Sequence, residues 1–521
     1  MTTRIEAALK GCATSGALVC TLALDGRAAY AQPAFALEEA TISRIEAAFD
    51  SRQLTCVQLA QGYLDRIDKY DDKGPALNAI ITINPKALEI AAELDRVPAS
   101  ARKPLHCIPV VVKDNYNTAD LPTTGGSRTL AKSRPSTDAF VVARLRQAGA
   151  LILAKSNLTE LARGGTTVSS LGGQTRNPYD LTRTPGGSSG GTGAAIAANF
   201  AVLGTGSDTG QSIRSPASAQ SLVGLRPTRG LVSRDGIIPY STTQDEAGPI
   251  ARTVADAARM LDAIAGYDPA DPITAFGRDK MPRSYASSLD RDGLRGKRLG
   301  VLMDFFGSEL PHREVNAVMH RALEKLAAAG AVVERISIPG LGALTRDLDL
   351  GNFEFRAAFE KYLSRLGPAA PVKTLDEFMA RAEFHPSLGS GLEAARRAGT
   401  TDAEYKARLL RRLDLRQAVM TAIADFRLDA IVYPHQRRLV ARIGEEQLER
   451  NGVLSNGTGF PALTVPGGFS EPTGSAPIGV PVGLELLGPD WSEPALLSIA
   501  YAFEQAAALR RPPVLATERR P

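Results

Sequence analysis

The chain has 521 residues, of which 44% are hydrophobic and 22% charged, an ordinary globular composition with enough apolar material for a large core. A net charge of +5 is small for this length, and no cluster of lysines and arginines is dense enough to nominate a nucleic acid or a membrane surface as partner. Five scattered histidines and four cysteines lack any metal-ligand spacing, so no metal or other cofactor is expected.

In chain order, Arg4 and Lys10 precede an apolar stretch from Gly11 to Leu24, and Ala29-Tyr30-Ala31 follows with small residues. This three-part pattern predicts a secretory signal peptide over residues 1–31, and with it a periplasmic or secreted location. A cytoplasmic enzyme with an amphipathic N-terminal helix is the alternative. No stretch is long enough to span a bilayer as a helix. Removal of the signal takes away Cys12 and Cys20; Cys56 and Cys107 remain, too few and too unpatterned for a disulfide framework.

Thr55 and Gln58 form a capping box ahead of Leu59, Tyr63, Leu64 and Ile67, which recur at helical spacing. Residues 107–112 (CIPVVV) read as a strand buried on both faces, residues 137–148 as a helix closed by Gly149, and 150–154 (ALILA) as another strand. The theme recurs over 298–338: a strand around Val301, a helix carrying Val315, Val318, Met319, Leu323 and Leu326, then a strand from Val332 to Ile338. Alternating strands and helices predict an α/β fold. The Asp-, Pro- and Gly-rich segment from Tyr267 to Gly296 is the best candidate for a boundary.

Chemistry concentrates between residues 186 and 230. Gly186-Gly187-Ser188-Ser189-Gly190-Gly191-Thr192-Gly193 leads into a helix-forming segment, an arrangement suited to converging backbone N–H groups. No lysine comes after these glycines, which rules out a phosphate loop. Gly186 to Gly190 match GxSxG formally, so a nucleophile-elbow esterase is one reading.

The other reading joins this loop to Gly204–Ala217 (GTGSDTGQSIRSPA) and Val223–Gly230 (VGLRPTRG). Together the three segments resemble the motifs of the amidase signature family. IPVVVKDN ending at Asn115, TRNPYD from Thr175, SNGTGFPALTVPGGF from Ser455 and GVPVGLELLG from Gly479 extend the resemblance. It spans roughly residues 40–505 and is looser over 270–450.

The resemblance implies an amidase signature fold: a large mixed β-sheet covered by helices on both faces, over residues 38–515, with 270–450 shaping the substrate pocket. It implies a serine amidohydrolase acting on a small amide. Lys113 is the expected base, Ser188 the bridging proton shuttle after a cis peptide bond, and Ser212 the nucleophile. The expected oxyanion hole is the backbone N–H groups of Thr209, Gly210, Gln211 and Ser212. Ser189, Asp208 and Arg214 are expected to support the site. Such a lysine must be neutral to accept a proton, which burial favours.

Lys155 also follows an apolar strand, and residue physics alone does not separate it from Lys113. Gln211 departs from the family pattern, where glycine usually precedes the nucleophile. The stretch from Leu231 (LVSRDGIIPYSTTQDEAGP) resembles peptide amidases. An amidotransferase subunit that shares the signature but works with a partner chain is the alternative of a different class. The sequence does not specify an oligomeric state.

If residues 1–31 are a signal, N-terminal sequencing of the protein from its native host should begin at Gln32. An intact Met1 or Thr2 in the soluble cytosol would contradict export.

Overall fold

The computed structural model describes residues 35–515, so the expected signal peptide and Cys12 and Cys20 lie outside the described residues. Among the described residues thirteen strands form: β1 Ile80–Ile83, β2 Pro109–Lys113, β3 Leu151–Ser156, β4 Val168–Ser169, β5 Gly173–Gln174, β6 Leu203–Asp208 and β7 Val223–Arg226. They continue with β8 Glu246–Ala251, β9 Arg298–Leu302, β10 Val332–Ile336, β11 Ala430–Pro434, β12 Ala462–Phe469 and β13 Pro481–Leu487. Eleven make one sheet, in the order β1-β3-β2-β6-β8-β7-β12-β13-β11-β9-β10, and β4 and β5 pair as a separate hairpin.

The sheet is mixed. β2 runs parallel to β3 and β6, and β9 to β10 and β11, while β6–β8, β7–β12 and β12–β13 are antiparallel. The continuous apolar runs of β2, β3 and β11 fit this topology, since each is buried along its whole length. β10, at the sheet edge, is buried only at Ile336 and shows Val332 to solvent.

Among the described residues up to 328, eight helices cover the sheet: α1 Ile42–Asp50, α2 Cys56–Tyr70, α3 Ala87–Asp95, α4 Phe140–Gln147, α5 Gly190–Ala197, α6 Arg214–Ala219, α7 Val254–Ile264 and α8 Arg313–Ala328. α2 begins with the expected capping box: Thr55 Oγ1 accepts from Gln58 N–H at 3.1 Å, and Gln58 Oε1 accepts from Thr55 N–H at 2.9 Å. α5 lies against β2 and β6, and α6 against β7, β12 and β13, so the helices following both serine-bearing loops are docked on the central strands.

Two expectations change. The segment 267–296 does not divide the protein, because the described residues from Ala36 onward form one unit. It is tied down by Ser284 Oγ donating to Asp262 Oδ2 at 2.8 Å and by the Ile273 backbone packed over Gly230. Cys56 and Cys107 form a disulfide across 51 residues, joining the first turn of α2 to the chain just before β2. Too few cysteines for a framework still allow one cross-link, and a spacing this long carries no local signal.

Residues 351–365, 375–380, 389–397 and 403–425 are helical. Phe355, Phe359, Phe378, Leu388 and Leu392 bury against Leu130, Leu161 and Ile238, which anchors this variable region beside the loops that follow β2 and β3. Its apolar spacing is helical, but what it covers depends on contacts more than 100 residues away in sequence.

Candidate active site

Lys113 ends β2 and is fully buried. Its Nζ lies 2.7 Å from Ser188 Oγ, 2.8 Å from Ser207 Oγ and 3.3 Å from the Ser207 carbonyl oxygen. Asn115 Nδ2 also donates to Ser207 Oγ at 3.0 Å, and Thr205 Oγ1 accepts from the Lys113 N–H at 2.9 Å. No carboxylate touches this ammonium group among the described residues. Burial lowers its pKa from 10.5 to about 7, against the opposing charges of Asp208 and Asp245.

Ser188 is fully buried and follows a cis Gly187–Ser188 peptide bond. The loop turns into α5 so tightly that a Cβ on Gly191 would sit 2.2 Å from the Asn157 carbonyl oxygen; only glycine fits there. Ser189 N–H donates to the Ser212 carbonyl at 3.2 Å, which joins the two serine loops through their backbones.

Ser212 is 6% exposed. Among the described residues its hydroxyl makes no hydrogen bond, and the N–H groups of Thr209, Gly210, Gln211 and Ser212 donate to no acceptor. Four unpaired amide donors in succession beside a free hydroxyl form a cluster able to take an anionic oxygen.

The loop is held from below by charge. Asp208 accepts from Ile213 N–H at 3.0 Å, Arg214 Nε at 3.1 Å and Arg226 Nη1 at 3.1 Å. Burial alone would raise the pKa of Asp208; Arg214 and Arg226 together outweigh it and hold the carboxylate well below its usual range. Arg214 also donates to the Gly210 carbonyl at 2.8 Å, the Gly452 carbonyl at 3.2 Å and Glu485 at 2.5 Å. The expected Asp208–Arg214 pair is therefore part of a larger buried network. Arg226 and Glu485 in this network, and Ser207 and Asn115 around Lys113, are the residues that sequence reading missed; all four lie inside the quoted motifs, which was the available signal.

Lys155 occupies a different setting. In the parallel pairing of β2 and β3 it lies opposite Val112, one position from Lys113, and successive residues of a strand point to opposite faces. Its ammonium lies 2.9 Å from Asp114 and donates to the Tyr116 and Pro122 carbonyls and to Thr118 and Thr123.

The histidines stand apart from both serines. His435 pairs with Glu485, His312 with Glu449, His320 stacks on Phe306, and His385 bonds Ser387. His106 lies beside the Cys56–Cys107 bridge. That trio is the one grouping of metal-ligand side chains found among the described residues, and its two sulfurs are bonded to each other.

A cavity of about 270 Å³ meets the site through Ser207. Asn117, Ser241, Asp245, Ala358 and Tyr362 also line it, whereas Ser188 and Ser212 do not, so it adjoins the lysine side of the site. Ala358 and Tyr362 come from the variable helices.

A family model described as Amidase matches residues 58–497. The chain belongs to the amidase signature family. It is similar to the peptide amidase from Stenotrophomonas maltophilia, at 39% identity and a TM-score of 0.83, covering 92% of this chain and 99% of that one. It is 37% identical over 492 residues to a subunit of the glutamyl-tRNA(Gln) amidotransferase of Alkaliphilus metalliredigens, covering 90% of this chain and 96% of that protein. An Arabidopsis thaliana protein described as a "Probable amidase" is 36% identical over 504 residues, covering 92% of each chain. As a member of the amidase signature family, this protein is a serine amidohydrolase, and the nucleophile-elbow esterase reading is set aside.

The contrast between the two lysines gives a stability test. Lys155→Met leaves Asp114 buried without its cation and should lower the unfolding free energy by about 3–5 kcal/mol in denaturant titration. A loss below about 1 kcal/mol would show that the Lys155–Asp114 pair does not hold the β2–β3 end.

Proposed function

We propose that this amidase cleaves its substrate through an acyl-enzyme on Ser212, with Ser188 as proton shuttle and Lys113 as base. The observation that carries the reading is a buried lysine with no carboxylate partner among the described residues, 2.7 Å from a serine hydroxyl. Neutral Lys113 accepts the Ser188 proton while Ser188 takes the proton of Ser212, whose oxygen bonds to the carbonyl carbon. The oxygen of the tetrahedral intermediate becomes negative and is received by the N–H groups of residues 209–212. Collapse breaks the C–N bond as Ser188 returns a proton to the leaving nitrogen, refilled from Lys113. Water then attacks the ester with its proton following the same path, releasing the carboxylic acid and restoring Ser212. Ser189, Asp208 and Arg214 keep the two loops in register and take no part in proton transfer.

The variable region, including Ala358 and Tyr362, shapes the pocket for the non-reacting part of a small amide. Similarity to a peptide amidase favours linear amides such as C-terminal peptide amides. We also propose export to the periplasm or beyond, which the Cys56–Cys107 disulfide supports, since such bonds persist in oxidising compartments. The amidotransferase relatives favour a second reading, in which the chain delivers ammonia within a complex; stable co-purification with a partner subunit from the native host would support it.

Ser212→Ala and Lys113→Met should each lower kcat by about a thousandfold or more with folding intact, and the double variant should lose little beyond either single one, because the residues act as a unit. Near-normal turnover by Lys113→Met would overturn the mechanism.

A further inference from the structure

Gln211 stands where the family usually has glycine, and its side chain has a specific partner. With its amide oriented to satisfy both groups, Gln211 Oε1 accepts from Arg450 Nε at 2.7 Å and from Nη1 at 2.5 Å. The same Nη1 lies 2.4 Å from where a Cβ on Gly165 would stand, so the guanidinium rests directly on the Gly165 backbone. Gly165 in turn packs on Gly187, whose own Cβ would come within 2.8 Å of the Gly165 carbonyl carbon. Arg450 therefore abuts, directly or through one residue, the residues that immediately precede both serines.

The arginine reaches solvent, while burial around its guanidinium lowers its pKa from the ordinary arginine value. Its backbone bridges to Gln436, and Asn451 Nδ2 beside it donates to the Phe305 and Pro434 carbonyls at 3.0 and 2.8 Å. Among the described residues it forms no ion pair. The neighbouring Glu449 is committed to Arg438 and His312, and Glu446, whose charge reaches Arg450, stays on the exposed loop. Two of the three guanidinium nitrogens face Gln211, and Nη2 is left without an acceptor among the described residues. A planar fork held in place by one amide, with donor capacity and full charge remaining, is suited to a carboxylate.

We propose that Arg450, oriented by Gln211, forms an anion subsite at the mouth of the active site that selects amides carrying a carboxylate near the scissile bond. The proposal rests on hydrolysis at Ser212 and names the substrate class of that site. Glycine at 211 would leave the guanidinium unanchored, so the departure from the family pattern and the unpaired cation have one explanation.

The test compares kcat/KM for matched pairs. N-acetylglutamate α-amide against N-acetylmethionine α-amide places the charge on the acyl side, and 4-acetamidobenzoate against acetanilide places it on the leaving amine. The wild type should favour the charged member of one pair, which identifies the side. Arg450→Gln should cut that charged-to-neutral ratio about tenfold or more, and Arg450→Lys should restore part of it. Gln211→Gly should lower the same ratio, and added salt should raise KM for the charged member more than for the neutral one. Wild-type turnover of the neutral amides with no preference in either pair overturns the subsite and leaves hydrolysis standing. A ratio unchanged in Arg450→Gln overturns it as well, since a structural role would lower both members together. Inactivity of the wild type on all four amides removes the hydrolytic mechanism along with the subsite.

Discussion

A lysine buried without a countercharge is the constraint on which this active site depends. Holding Lys113 at a pKa of about 7 instead of 10.5 costs the folded state about 5 kcal/mol whenever the group is protonated. The unfolded chain binds the extra proton between those two values, so this cost shrinks as pH rises from about 7 and vanishes above about 10.5. A fold that retains such a group must surround it firmly. Here β2 is flanked by β3 and β6, α5 packs over it, and Ser207 and Asn115 complete a hydrogen-bonded surround without adding charge.

Charge is instead kept one layer away. Asp208, Arg214, Arg226 and Glu485 form a buried network whose carboxylates and guanidiniums satisfy one another. Arg214 spends two of its bonds on the carbonyls of Gly210 and Gly452, so those oxygens point down into the network. With the Gly210 carbonyl turned that way, the N–H groups of residues 209–212 are left free above it. The ion pairs thus act on chemistry through backbone direction, as fixed dipoles that need no rearrangement when charge develops.

How much of this was legible in sequence depended on range. β2, β3, α2 and α8 were readable because a run of valines, a capping box and an apolar stripe are local signals; the boundaries moved by only a few residues. The triad positions were readable only through linked motifs, since Lys113 and Lys155 have the same kind of local sequence. What separates them is strand pairing: opposite faces of the sheet, with Asp114 on one side and two serines on the other. The disulfide, Arg450 and the partners of Glu485, a residue inside a quoted motif, were not legible. Each acts on partners 51 to more than 200 residues away, and no spacing rule reports such contacts. Gln211 was visible as an exception, but its meaning needed its partner.

The central claim is that neutral Lys113 activates Ser212 through Ser188. The most direct measurement is the rate of covalent capture by a fluorophosphonate from about pH 5 to about pH 9, with the labelled residue mapped by peptide mass spectrometry. Phosphonylation should fall on Ser212, and its rate should rise with pH through a midpoint near the lysine's value of about 7, then level off. Labelling at Ser188 or another serine, or a rate insensitive to pH across that range, would contradict the account.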